Sequence, residues 1–445
     1  MKTIILSLTI ITTLFATLPA GALEGAHTSA EALPASLSLA AAKQIALADN
    51  PSLAVMAARV KEAEGVSRQA RSAWFPSVSA YAEGGRLIDS AVLSGGLDNT
   101  DTYAAGLEAG WLIFNGFARH FSTRAAALGL DATRQELNDV RRLLVQGVSE
   151  AFLNCRLAVE SARVARTDAQ FNADLLDEAR KRLDAGAGAR ADVLNFSVRK
   201  KEAENLLLQA EQNLQDFRKV LATLLGLPAG DLPAATVLAP LPEEAIVCDI
   251  SLDHAVEEAM TNRPDLIRAE LAARQAAAAA AAEKGDYLPS LSAIGSYGAR
   301  RLNNPRFDQD DDTDSYLGLR LSWNLFDGAL REGKVKAANA RRTAAEQDLI
   351  QTRIEVVSDV KRVFNGVEYS RKSYANNQDI AAMNLEIRDI ARKEYAAGKA
   401  TLTRLNEAQT NQTRAESQRV QSRITLARAI ERLRAAMGTD ILTGE

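Results

Sequence analysis

The sequence predicts a mainly α-helical fold with a smaller β part that crosses a membrane, and three observations carry that prediction. The first is composition: 47% of the 445 residues are hydrophobic but only 5% are aromatic. A wide globular core draws on aromatic side chains, each of which buries a large area. Here alanine supplies much of the apolar fraction, and residues 276–282 are all alanine. Alanine is the best helix former and brings little surface to a core, so long, closely packed helices are expected instead of two or three globules. The second observation is that the chain is written twice, and the third is a set of segments in which apolar and polar residues alternate. Charge and cysteine content narrow the classes further. With 53 basic residues against 57 acidic ones, the chain lacks the basic excess of a nucleic-acid binder. Two cysteines cannot build a disulfide framework.

From the N-terminus, the first expectation is export. Lys2 precedes an apolar run over 4–15, and Ala20-Gly21-Ala22 offers a small-x-small cleavage site. Residues 1–22 therefore read as a signal peptide; the run is too short for a transmembrane anchor. No cysteine follows the cleavage site, and no later stretch approaches the length of an apolar membrane helix. Neither a lipid anchor nor a helical span is expected.

The duplication has an offset of 213 residues at first and 212 later. Leu39, Pro51 and Pro76-Ser77 correspond to Leu252, Pro264 and Pro289-Ser290. Residues 111–116 (Trp-Leu-Ile-Phe-Asn-Gly) correspond to 323–328 (Trp-Asn-Leu-Phe-Asp-Gly). Ala185-Gly186 matches Ala397-Gly398, and Leu225-Gly226 matches Met437-Gly438. The one-residue slip falls between Pro76 and Trp111, where a loop is expected. Residues 23–226 and 251–438 are read as two structural repeats. The linker between them, 227–250, holds Pro228, Pro233, Pro240 and Pro242, and a short tail, 439–445, follows.

Each repeat has one plan. A helix of about 37 residues (38–74; 251–287) stops at a proline. Two strands follow, at about 76–90 and 101–114, then at about 289–300 and 314–326. A helix of roughly 65 residues (117–183; 329–396) leads into a tight glycine-containing turn (184–191; 396–402) and a last helix (190–225; 401–437). At about 1.5 Å per residue the long helices span about 100 Å, and two of the shorter ones end to end about 110 Å. The shorter helices are thus expected to stack in pairs beside the long ones, forming a shaft. In the first long helix, positions 148, 151, 155, 158, 162, 165, 169, 172, 176, 179 and 183 alternate steps of three and four and are mostly alanine. That is a coiled-coil seam whose small residues let a partner helix come close. Cys155 lies in it and reads as a small buried thiol; Cys248 lies in the linker, with nothing to bring the two together.

The strands point to a membrane. Tyr103, Ala105, Leu107, Ala109, Trp111 and Ile113 alternate with Thr102, Ala104, Gly106, Glu108, Gly110 and Leu112. Leu317, Leu319, Leu321, Trp323 and Leu325 alternate with Tyr316, Gly318, Arg320, Ser322 and Asn324. This period fits transmembrane β-strands with the odd positions toward lipid; the competing reading is a soluble sheet with one wet face. Trp111, Phe114, Trp323 and Phe326 gather where the strands meet the shaft, as an interfacial girdle would. Four strands cannot close a barrel, and lipid does not tolerate an open edge. Several chains must then share one barrel: two would give eight strands and three would give twelve. Glu108 and Arg320 occupy equivalent inward positions with opposite charge, either paired inside the lumen or separately solvated. The strand-connecting loops are polar. Asp308, Asp310, Asp311, Asp312 and Asp314 lack the glycine and terminal glutamate of a calcium loop, so that loop reads as a solvated one outside the cell.

Taken together, these features resemble the TolC family of outer-membrane channel proteins over nearly all of the mature chain. The resemblance rests on the Asn50-Pro51 and Arg263-Pro264 helix starts, and on Trp74-Phe75-Pro76-Ser77 and Tyr287-Leu288-Pro289-Ser290 before the strands. It rests also on residues 112–116 and 324–328 at the strand exits and on the hairpin turns, in this order and twice over. It implies a homotrimer whose twelve-stranded barrel continues into a periplasmic α-barrel tunnel of twelve helices. It also implies a passive exit duct for efflux or type I secretion, docked by a periplasmic adaptor and driven by an inner-membrane transporter. The tips that would meet the adaptor are Ala185, Gly186, Gly188 and Arg190 in one hairpin, and Ala397 and Gly398 in the other. Tyr395 matches a gate tyrosine and Asp192 the acid it is tied to on a neighbouring tip. The family's gate arginine falls on Ala400, with Lys399 beside it, and its two constriction acids fall on Arg404 and Glu407.

Other functions fit less well. His27, His120 and His254 are scattered, and no metal spacing, nucleophile elbow or phosphate loop occurs, so neither an enzyme nor a cofactor is expected. The alternative is a periplasmic coiled-coil adaptor or a structural protein without a pore. An adaptor would carry one hairpin between β-rich halves, and a purely structural coiled coil would lack girdled strands.

Overall fold

The computed structural model describes residues 34–87, 100–304, 307–308 and 312–439. The expected signal peptide, His27, Asp310, Asp311 and most of the first strand-connecting loop lie outside the described residues. Helices packed side by side form a wall. α3 (Ala118–Asp184) and α7 (Leu330–Ala396), 67 residues each, run its length of about 100 Å. In one half, α4 (Arg190–Leu224) turns back along α3, while α8 (Leu402–Met437) lies between α7 and α3. In the other half α2 (Pro51–Ser72) lies beside α3, and α6 (Pro264–Glu283) fills the place between α3 and α7. The shorter helices do stack in pairs, α4 with α2 and α8 with α6.

The pairs are shorter than the sequence suggests, because each expected 37-residue helix is broken. Residues 38–74 form α1 (Leu39–Asp49) and α2, and residues 251–287 form α5 (Leu252–Asn262), α6 and a short 3₁₀ turn. Proline opens α2 and α6; its ring excludes helical backbone from the preceding residue, so Asn50 and Arg263 are extended. These two residues also seal the joints. Asn50 Nδ2 donates to the Leu224 carbonyl at 2.8 Å, one of those freed at the end of α4. Arg263 Nη1 donates to the Ala436 carbonyl of α8 at 3.4 Å, while Asp265 (2.7 Å) and Asp359 (3.0 Å) hold its guanidinium.

Beyond the break, α1 packs on α3, and α5 on α7 and α8. There the linker is more than a connector. β1 (Ser36–Leu37) pairs in parallel with β4 (Val237–Leu238), and Leu232, Leu238 and Leu241 join Phe152, Leu153 and Leu221 in a core. On α3 the small-residue seam is buried at Val148, Ala151, Cys155, Ala158, Ala162, Asn172, Leu176 and Ala179, and half-buried at Ala165, Ala169 and Leu183. A second buried stripe includes Val145, Phe152, Val164, Phe171 and Leu175, because α3 has neighbours on both sides. Cys155 is fully buried, and desolvation pushes its thiol up to about 12, as suits a packing residue.

At one end of the wall the chain forms an antiparallel sheet in the order β2 (Ser77–Leu87), β3 (Thr100–Asn115), β5 (Ser290–Asn304), β7 (Asp312–Ser322), with β6 (Phe307–Asp308) on the far end of β5. β7 stops at Ser322, so the expected strand at 314–326 loses its last four residues. The equivalent stretch of β3 continues to Asn115 because β5 lies against it. Among the described residues, β7 has no strand to pair with beyond Ser322.

Candidate functional site

The register decides what the sheet can do. Val78, Ala80 and Ala82 of β2 lie beside Ala109, Leu107 and Ala105 of β3. The same face continues through Gly295, Tyr297 and Ala293 of β5 to Leu317, Leu319 and Leu321 of β7. Leu317, Leu319 and Leu321 are 88%, 68% and 70% exposed, an apolar surface that water would not favour. The opposite face carries Ser77, Ser79, Glu83, Glu108, Ser292, Ser296 and Arg320. On this polar face the Tyr81 hydroxyl lies over Gly106 and Gly298, where an added Cβ would meet it at 2.9 and 2.8 Å. Glu108 stands opposite Ser296, and Arg320 opposite Ser292. The two charges share a face, but two strands and four residues part them, about 16 Å at ordinary strand spacings. Within one chain they do not pair.

Where sheet meets wall, the two repeats build one device twice. Trp111 Nε1 donates to the Trp74 carbonyl (3.0 Å), and Trp323 Nε1 donates to the Tyr287 carbonyl (3.2 Å). Arg119 lies 4.0 Å over the Trp74 ring and Arg331 5.2 Å over the Tyr287 ring, favourable cation–π contacts. The Arg119 guanidinium also donates to the carbonyls of Ala73 and Ile113 (both 3.0 Å) and of Leu112. Arg331 donates to Asp327 (2.7 Å) and to the Leu325 carbonyl (3.3 Å). These bonds hold a turn with two successive left-handed residues, Gly116-Phe117 and Gly328-Ala329; for Phe117 and Ala329 that backbone is strained. Both arginines escape a reading based on named motifs. Their signal is positional: each stands three residues after the junction glycine, at the same offset of 212. Trp111, Trp323 and Phe326 are exposed here, and Phe114 packs edge-on to Phe117 at 5.4 Å.

At the far end lie the two tips. After α3, Ala187 N–H donates to the Arg182 carbonyl, and after α7, Lys399 N–H donates to the Glu394 carbonyl, at 2.9 and 2.8 Å. These are Schellman closures, which need the left-handed backbone that Gly186 and Gly398 supply at φ +70° and +69°. Ala185, Arg190, Ala397 and Lys399 are exposed, and Gly188 is half-buried. Phe171, Leu175, Leu176, Phe196 and Leu405 form a small core behind the tips, and the half-buried Tyr395 packs on it. Arg182 lies 5.0 Å over the Tyr395 ring and is paired with Glu178 at 2.7 Å. Burial first, and then the negative charges of Asp192 and Glu178, raise the pKa of the phenol above its ordinary value, while Arg182 opposes them. Tyr395 and Asp192 are thus neighbours in one chain, although no hydrogen bond joins them among the described residues. Arg182 is a tip residue that the sequence reading missed. Arg404 pairs with Glu394 of its own hairpin at 3.5 Å. Glu407, one turn further along α8, is exposed and has no ion pair among the described residues.

Comparisons with known proteins agree with this geometry. The sequence profile of the family described as outer membrane efflux protein matches residues 42–227 and again 255–439. The pyoverdine export outer membrane protein OpmQ of Pseudomonas aeruginosa is 25% identical over 413 residues, covering 89% of this chain and 84% of OpmQ. Outer membrane protein OprJ of the same organism is 26% identical, covering 82% of this chain and 76% of OprJ. Among solved structures, the outer membrane protein VceC of Vibrio cholerae superposes with a TM-score of 0.79 at 18% identity, over 90% of this chain and 96% of VceC. With its family profile matched twice, the chain belongs to the TolC-like outer membrane efflux protein family: it is an outer-membrane channel component whose helical shaft stands in the periplasm.

Proposed function

We propose that three copies of the chain, each exported with loss of residues 1–22, close one twelve-stranded barrel and one helical tunnel. The duct is passive: a periplasmic adaptor docks at the tips and an inner-membrane transporter supplies the driving force. The observation that carries the oligomer is the sheet register. The pairing Val78–Ala109 of β2 and β3 reappears one repeat later as Leu291–Leu321 of β5 and β7. The same operator takes the β3–β5 pairing Ala109–Gly295 to Leu321 of β7 and Ala82 of β2. Those strands are opposite edges of the sheet, so this last pairing is made between chains. It would also supply the neighbour that β7 lacks beyond Ser322. The helical wall supports the same closure. Ile380, Met383, Ile387 and Ile390 of α7 follow coiled-coil spacing and are 41–56% exposed, and on the opposite edge, α4, Leu194 and Val198 are 58% and 57% exposed.

In this assembly the tips form the gate. Tyr395, Asp192 and Arg182 make a latch that conformational change can undo without covalent chemistry. Arg404 and Glu407, in three copies each, make a constriction of mixed charge that attracts cations less than an all-acid ring would. Glu108 and Arg320 line the barrel lumen without pairing with each other, and the same operator sets Arg320 opposite Glu83 of the neighbouring chain. The name of OpmQ supports small molecules as the exported class over secreted proteins. Conductance in planar bilayers tests the gate: Tyr395→Phe and Asp192→Ala should each raise the closed-state conductance of the purified trimer. Unchanged conductance in both would contradict the latch.

A further inference from the structure

The step between sheet and wall holds a cluster that conduction does not explain. In the first repeat, Arg68, Arg71 and Trp74 follow one another at a spacing of three along the end of α2. The Trp74 amide still donates to the Arg71 carbonyl at 3.1 Å, so the three lie on one side of the helix. Trp74 is 42% exposed, carries Arg119 on its ring and receives the indole hydrogen bond of Trp111. Trp111 belongs to the apolar face of the sheet, so this side of the step faces outward, toward lipid. Arg68 and Arg71 are exposed and have no ion pair among the described residues.

The second repeat places Lys284 three residues before Tyr287, with Arg331 on that ring, but sets acids among them: Asp286 pairs with Lys334 and Asp327 with Arg331. The corresponding turns of the first repeat, residues 66–74 and 116–128, hold four arginines and no acid. This local excess stands in a chain whose formal net charge is −4. An exposed aromatic at the edge of an apolar belt, with unpaired guanidinium groups one and two turns below it, is the arrangement that receives a phosphate lying at the membrane surface.

We propose that Arg68 and Arg71, beside the Trp74–Arg119 stack, seat the phosphate headgroup of an anionic phospholipid in the leaflet facing the periplasm. The contact fixes the depth of the channel and its rotation about the membrane normal. It rests on the outer-membrane placement of the sheet and not on the gate.

The test uses the full-length trimer in detergent, exposed to phosphatidylglycerol or phosphatidylcholine, with retained lipid counted by native mass spectrometry. The wild-type protein should retain phosphatidylglycerol in preference to phosphatidylcholine. Arg71→Gln should lower phosphatidylglycerol retention about fivefold, and Arg68→Gln with Arg71→Gln about twentyfold, leaving phosphatidylcholine unchanged. Arg341→Gln with Arg342→Gln, further down α7, should change neither. Heat modification on a denaturing gel verifies that each variant is still a trimer; the single variant suffices if the double one is not. Equal retention of the two lipids by the wild type, or full phosphatidylglycerol retention by Arg71→Gln, would overturn the proposal. So would displacement of the lipid by inorganic phosphate at equal concentration, which would mark a pocket for free anions.

Discussion

Tyr395 shows how much one side chain at the tip can report. Its phenol is half-buried among Asp192, Glu178 and Arg182, and its pKa lies above the ordinary value near 10. The folded state therefore holds the phenolic proton longer than the unfolded chain does. The stability this adds is fully present below the unfolded value and is lost as pH rises through the raised folded value. Above it, a phenolate would face two carboxylates and the tip should loosen. Closed-state conductance of the wild-type channel is expected to hold steady from neutral pH to about 10 and to climb beyond it, while Tyr395→Phe should lack that alkaline limb. Identical pH profiles would remove the phenol from the gate. Tyr395 and Asp192 entered through resemblance. Arg182 did not, because on a helix surface an arginine over an aromatic ring looks like any solvated arginine until the second hairpin is placed.

At the scale of elements, the junction arginines hold the turn from strand to helix. Arg119→Gln removes several charge-assisted hydrogen bonds to carbonyls and the stack on Trp74. The expected loss is about 2–4 kcal/mol of stability, read as a lower temperature of trimer dissociation on a denaturing gel. Arg331→Gln should act in the same direction, since it loses the 2.7 Å ion pair to Asp327 and leaves that mostly buried carboxylate unpaired. Equal wild-type-like stability of both variants would show that the turn needs neither.

The elements themselves were largely legible. Periodicity separates the 67-residue helices from the strands, and the small-residue seam on α3 is buried at eight of its eleven positions. The breaks at Asn50 and Arg263 were visible as Asn-Pro and Arg-Pro pairs, yet helical pattern runs through both, and only the proline's effect on its predecessor ends α1 and α5. The second stripe of α3 was hidden because a helix with two neighbours blurs its own period. The β1–β4 pair was hidden because two residues carry no period at all.

For the whole molecule, the internal repeat is the most informative feature, since it relates the two halves of one chain and extends to the next. A sheet with apolar and polar faces, two open edges and a register that continues past its last strand is a fragment of a closed barrel. The exposed apolar edges of α4 and α7 tell the same story for the wall. The count of three comes from family resemblance, because repeat geometry alone gives the neighbour and not the number. The most direct test of this closure is an interchain disulfide between Ala82→Cys and Leu321→Cys, with Cys155→Ala and Cys248→Ser to remove the native thiols. Facing residues on paired strands have Cβ atoms about 5 Å apart, close enough for oxidation to join them. The doubly substituted channel, oxidised in the membrane, should run on a non-reducing denaturing gel as a covalent ladder that ends at three chains, while either cysteine alone should give monomers. A ladder that stops at two chains, continues past three, or does not form would contradict the shared barrel.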